Sequence, residues 1–219
     1  GFKMNQKYIF LWALIVTLIF FNIGIFFGYM LESSRVNRIN EFYVQSDMYL
    51  LDQRVQSDAF SIINLNCESA IDANIIFADK IFEDAKTIQR FENANKFNRD
   101  IVFQHKRFDL LRTLFWINSM NIKEKCSASY HNLVYFYQYI DPSIEQKAKQ
   151  DVFSRILEEI KQDKGSEVML IPIAGDNDLT SVTLLIKNYN ITRFPTILID
   201  EKIKIDSLEN KEDIEKYLN

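Results

Sequence analysis

Residues Leu133–Tyr139 read LVYFYQY, a short run that is aromatic and almost wholly apolar. A run of that length bounded by polar residues is the pattern of a strand buried on both faces. The chain downstream is punctuated like an α/β unit. Asp141-Pro142-Ser143 predicts a helix start, with Asp141 as N-cap and Pro142 at the first helical position, and the helix should run to about Asp163, before Gly165. Glu167–Ala174 (EVMLIPIA) reads as a second strand, and two strands joined by a helix imply a right-handed parallel crossover. Asp178 is expected to cap a helix through about Tyr189. Thr196–Asp200, a tight turn and Ile203–Ile205 then predict a hairpin, followed by a last helix over Asn210–Leu218 that Asn210 and Asp213 can cap.

Upstream the texture is different. Between Tyr29 and Asp141 there is neither glycine nor proline, which over so long a stretch favours long helices. Apolar residues recur at three and four: Met48, Leu51, Val55, Ala59 and Ile62; Ile71, Ile75, Ala78, Phe82, Ala85 and Ile88; Ile101, Phe108, Leu111, Phe115 and Ile122. These predict one helix followed by an antiparallel pair over about 68–92 and 98–124, turning near Glu92–Lys96, in a hairpin or coiled-coil arrangement. The chain has two cysteines, and the midpoint between Cys67 and Cys126 falls at that turn. Residues equally far from a helical turn end up side by side, so the two thiols are predicted to meet as a disulfide, a link suited to an oxidising compartment. The alternative is two separate buried thiols, which behave as small apolar side chains.

The order strand–helix–strand–helix–strand–strand–helix resembles the thioredoxin fold. Arg193-Phe194-Pro195-Thr196-Ile197 is similar to the loop before that family's third core strand, where the proline is normally cis. Leu133–Tyr137 resembles its first core strand, and the likeness covers roughly Ser129–Asn219. Redox-active members carry Cys-x-x-Cys at the start of the following helix, where this chain has Asp141-Pro142-Ser143-Ile144. Thiol exchange needs an attacking thiolate, and a carboxylate cannot form a mixed disulfide. The resemblance therefore implies a redox-inactive relative. It also implies that the backbone at Phe194, with Pro195 and Asp141 nearby, holds extended polypeptide or a fixed partner in strand-like fashion. The nearest functional analogy is to oligosaccharyltransferase subunits with a lumenal thioredoxin-like domain that hold acceptor polypeptide, although those place their membrane helices after the domain and often keep the cysteine pair.

The other decisive stretch is Tyr8–Met30 (YIFLWALIVTLIFFNIGIFFGYM), without a charge in 23 residues. At 1.5 Å of rise per residue it reaches roughly 35 Å, enough to cross a hydrocarbon core of about 30 Å. It is longer than the apolar region of a secretory signal and does not end in small residues, so an uncleaved anchor is expected. Gly24 and Gly28 form a G-x-x-x-G step on which a neighbouring helix can pack, and Asn22 would favour a hydrogen-bond partner there. Lys3 and Lys7 before the run, against Arg35 and Arg38 diluted by Glu32 and Glu41 after it, place the N-terminus in the cytoplasm only weakly. Residues 32–219 would then lie outside, in an extracytoplasmic or lumenal space, where Asn190-Ile191-Thr192 is an N-glycosylation acceptor pattern.

Three regions follow: 1–31, tail and transmembrane anchor; 32–126, helical hairpin; 127–219, thioredoxin-like domain. The net charge of −4 and pI near 5.3, with no basic stripe, argue against nucleic acid. His105 lies on an apolar face and reads as a core residue, His131 has no companion at ligand spacing, and no metal or other cofactor is inferred. The expectation is a non-catalytic, single-pass accessory subunit or adaptor of a membrane complex. It would meet the lipid bilayer, other transmembrane subunits and extended polypeptide. The alternatives are a tethered thiol–disulfide oxidoreductase using Cys67 and Cys126, or a free-standing envelope spacer.

Overall fold

The computed structural model describes residues 6–62, 66–94, 99–207 and 210–218. The elements are α1 (Gln6–Ile62), α2 (Cys67–Ala94), α3 (Arg99–Cys126), β1 (His131–Tyr137), α4 (Ile144–Lys164), β2 (Val168–Ala174), α5 (Thr180–Asn188), β3 (Thr196–Ile199), β4 (Ile203–Ile205) and α6 (Glu212–Glu215). The chain forms two compact units, 1–45 and 46–219.

Within the first unit, the 27 residues Tyr8–Ser34 of α1 include an 18-residue window of mean hydropathy 2.5, and the helix is long and apolar enough to cross a membrane. Its side chains are exposed. Asn22 turns its amide back on its own helix, donating to the Leu18 carbonyl at 2.7 Å, and among the described residues nothing outside the local helix lies within 4 Å of where a Cβ would stand on Gly24 or Gly28.

The second unit contains both the helices and a four-stranded sheet of order β2-β1-β3-β4. β1 pairs parallel with β2, which α4 makes possible by carrying the chain back, and antiparallel with β3; β3 and β4 form a hairpin. Pro172 interrupts no inner ladder because β2 is an edge strand. One sheet face carries Leu133, Tyr135, Leu170, Ile197 and Ile199 against Phe153, Leu157 and Ile160 of α4 and Ile214 of α6. The opposite face carries Val134, Phe136, Met169, Ile171 and Leu198, all buried. There α3 packs with its Trp116 edge-on to Phe136, ring centroids 5.9 Å apart, and against Tyr189, which follows α5, at 5.4 Å.

α3 is thus buried on nearly every side. The helices flank it elsewhere: Phe77 of α2 meets Phe115 at 5.5 Å, and the Gln53 carbonyl of α1 accepts from Asn118 at 3.0 Å. The stripe Met48, Leu51 and Val55, regular enough to suggest the packed face of α1, instead points to solvent; Tyr49 and Gln53 face the other helices. Cys67 and Cys126 are disulfide-bonded with Cα atoms 5.4 Å apart, joining the start of α2 to the end of α3. Asn66 caps α2, its Oδ1 accepting from the Glu68 N–H.

Buried polar groups tie the helices to the sheet. Asn74 donates to Ser119, Ser119 to Asn132 on β1, and Asn132 to Glu201, which also accepts from the Trp116 indole at 2.6 Å. Lys161, 4% exposed, sends its ammonium to Asp79 of α2 at 2.7 Å and to the carbonyls of Gly165 and Val168 at 2.8 and 3.0 Å. Each of its three protons therefore has an acceptor.

The structure corrects several local expectations. Asp141 is not the N-cap of α4: its φ is +44°, and Ser143, two residues on, accepts from the Gln146 N–H and starts the helix at Ile144. This leaves Pro142 outside the helix. Asp178 does not cap α5 either; it too has a positive φ, and the helix begins after Leu179 with no side-chain cap. β1 begins at His131, two residues before the apolar run, because His131 and Asn132 already pair with Val168 and Met169 of β2. α6 is one turn, although Asn210 and Asp213 exchange the reciprocal hydrogen bonds expected of them. α2 continues through Ala94, and the rest of the anticipated helical turn lies outside the described residues.

Candidate functional site

The structure places the Pro195 loop beside the start of α4. The Phe194–Pro195 peptide is cis and leads directly into β3. Thr196 fixes the loop from within, its hydroxyl donating to the Arg193 carbonyl at 2.7 Å. The Phe194 ring lies over Gly175, just past the end of β2: a Cβ added there would meet ring carbons at 2.1 Å. Glycine is the residue that permits this approach.

The segment after β1 is held by two side chains. Gln150, buried on α4, brackets Gln138 by accepting from its N–H at 2.8 Å and donating to its carbonyl at 3.0 Å. Asp176, in the turn after β2, accepts from the N–H groups of Tyr139 and Ile140, both at 2.8 Å. One helical turn before Gln150, Gln146 donates to the Phe194 carbonyl at 2.7 Å and to Gln150 Oε1 at 3.1 Å. Two glutamines at i, i+4 therefore connect the segment containing Asp141 to the loop containing Phe194 and Pro195. Around the start of α4, Ile144 is 92% exposed and Ile140 is exposed, along with the polar Asp141, Ser143 and Glu145, and Phe194 is partly exposed.

Beneath this surface is a buried charged cluster. Asp109 of α3 is fully enclosed, within 3.2 Å of Arg112 and 3.4 Å of His105, and accepts from Asn177 after β2. Enclosure pushes its carboxyl above the usual range, and His105 and Arg112 pull the other way. His105 bonds the Tyr137 hydroxyl at 2.8 Å and stacks on Tyr139, centroids 3.7 Å apart. It is a satisfied core histidine, as its place on an apolar face suggested.

A second polar centre sits at the other end of β1. Asp200 and Glu201 form the β3–β4 turn with φ of +47° and +60°, a conformation costly for residues with a Cβ. Contacts from outside the hairpin hold it: Asp200 accepts from Lys123 at 2.5 Å and from the Asn132 N–H at 2.9 Å, and meets His131 at 2.6 Å. Burial would raise the Asp200 carboxyl, but those bonds together keep it below its ordinary value of 3.8. Burial dominates at Glu201, which is raised. Tyr130, buried with its hydroxyl on the Ser119 carbonyl, is pushed up to about 12.

Phe194, Pro195 and the Asp141 segment are therefore brought together through α4, whereas the Cys67–Cys126 bridge belongs to the end of β1 where His131 begins. A seven-residue strand spans roughly 20 Å between the two. Asn190 is exposed after α5 with Thr192 also exposed, an open position for its amide. Among the described residues no group of three or more His, Cys, Asp or Glu side chains is placed to hold a metal ion. Sequence reasoning missed Gln146, Gln150 and Asp176, because polar residues at a helix start or in a turn read as solvated. Asp109 was missed for the same reason: on a helix taken as one-sided it falls off the stripe of Phe108, Leu111 and Phe115, while Arg112 sits at that stripe's edge, where a charged residue reads as solvated. Comparison with protein-family models, with curated proteins and with solved structures returns no match.

Proposed function

We propose that residues 127–219 form a thioredoxin-like domain without exchange chemistry, carried by a single-pass membrane protein. In this reading the protein is an accessory subunit or adaptor of a membrane complex that holds extended polypeptide, or one fixed partner, at the Pro195 loop. The observation that carries it is the joining of two segments at the start of α4: a Pro195 loop, and a facing segment that reads Asp141-Pro142-Ser143-Ile144 where an exchanging enzyme needs a thiol. The exposed Ile140 and Ile144, flanking the start of α4 whose Gln146 reaches the Phe194 carbonyl, offer apolar anchorage for such a partner. The outward stripe Met48, Leu51 and Val55, at heptad spacing, and the Gly24–Gly28 step support docking to other helices. Topology in this proposal places residues 32–219 outside the cytoplasm, in keeping with the disulfide and with the exposed Asn190.

The test is purification of the full chain in mild detergent. A stoichiometric membrane partner that is lost on Ile144→Asp substitution is expected. A monomer at all concentrations would favour a spacer, and insulin reduction above a Cys67→Ser/Cys126→Ser control would favour the oxidoreductase; either result overturns the reading.

A further inference from the structure

The Phe194 carbonyl, the acceptor that a strand-like ligand would use at the Pro195 loop, is already taken. We propose that Gln146 is an internal occupant of that loop, and that polypeptide docks only when this side chain swings away. The inference rests on the reading of the loop as a polypeptide-holding site.

Gln146 Nε2 lies 2.7 Å from the Phe194 oxygen, the bond a ligand's main-chain N–H would make. Its second amide proton goes to Gln150 Oε1 at 3.1 Å. The two glutamines differ in how firmly they are held. Gln150 is buried and joined twice to the Gln138 backbone, so moving it would release the segment after β1. Gln146 is only partly buried, and its backbone N–H is anchored by Ser143, so its side chain can leave without disturbing the start of α4. Displacing it hands the Phe194 acceptor to the ligand, gives up the bond to Gln150, and leaves the loop built. Docking is then weakened by the net worth of the bond that must first be broken, about three- to tenfold in affinity.

The experiment measures fluorescence anisotropy of a fluorescein-labelled decapeptide of alternating valine and threonine with the full chain in detergent. Gln146→Ala is expected to bind about three- to tenfold more tightly than the wild type. Gln146→Glu, which keeps the length but loses the donor, should move in the same direction. Equal or weaker binding by both variants overturns the occupant role while leaving the loop as a docking site. Absence of binding by all three proteins overturns both.

Discussion

Gly175→Ala is the sharpest probe of the Pro195 loop. An alanine Cβ would sit 2.1 Å from the Phe194 ring, against about 3.5 Å for an ordinary carbon contact, so the ring must retreat by more than 1 Å. The Phe194 carbonyl is held by Gln146 and the next residue is a buried proline, so the retreat falls on the side chain, which gives up its contacts over the β2 end. Overpacking of this kind costs about 1–2 kcal/mol. Gly175 has no positive φ, so once the ring is gone the same substitution should act only by restricting the unfolded chain and stabilise by about 0.5 kcal/mol. The sign therefore inverts between backgrounds. Urea unfolding of the full chain in detergent, followed by near-ultraviolet circular dichroism, measures the four corners of the cycle with Phe194→Ala. With a slope of about 2 kcal/mol/M, Gly175→Ala should lower the wild-type midpoint by about 0.5–1 M and raise that of Phe194→Ala slightly. A cost of equal size and sign in both backgrounds would refute the packing argument.

Two further outcomes are expected. Replacing Cys67 and Cys126 by serine opens a link between residues 59 apart and should cost about 4 kcal/mol by chain entropy, read as a lower urea midpoint that reductant lowers in the wild type but not in the variant. Asp200→Asn keeps a residue tolerant of positive φ but loses the charge that Lys123 and His131 meet, and should cost about 2 kcal/mol at neutral pH. Because the folded carboxyl lies below its unfolded value of 3.8, its stabilisation is complete above that value and is lost as pH falls through the lower folded one; the gap between wild type and variant should therefore close in acid, and a gap constant down to pH 2 would contradict the assignment.

Much of the architecture was readable because its signals are local. Glycine at 165, proline at 142 and 195, and the apolar runs around 133 and 170 mark where strands and helices change over. The cysteine pairing followed from symmetry about the helical turn, and the structure joins the two. What could not be read is the partner face of each helix. α3 is enclosed by helices on one side and sheet on the other, so Asp109, Arg112, Thr113, Asn118 and Ser119 are buried and periodicity carries little information. On α1 the regular apolar stripe pointed to the wrong side, since Tyr49 and Gln53 pack through ring and amide contacts that hydropathy does not register. The residues that build the candidate site, Gln146 and Gln150 on α4 and Asp176 in the turn after β2, act through long-range bonds to backbone groups and leave no pattern in a single sequence.

The enclosure of α3 has a consequence for dissection of the protein. A fragment beginning at residue 127 would shed the helix that covers Phe136 and the cross-braces from Ser119, Trp116 and Lys123, leaving a bare aromatic plane and a strained hairpin turn steadied only from β1, by His131 and Asn132. The sheet is thus no detachable cargo on a helical stalk. Selection that alters one of the two must be answered by the other, and any excised piece fit for experiment has to retain the hairpin together with the strands it shelters.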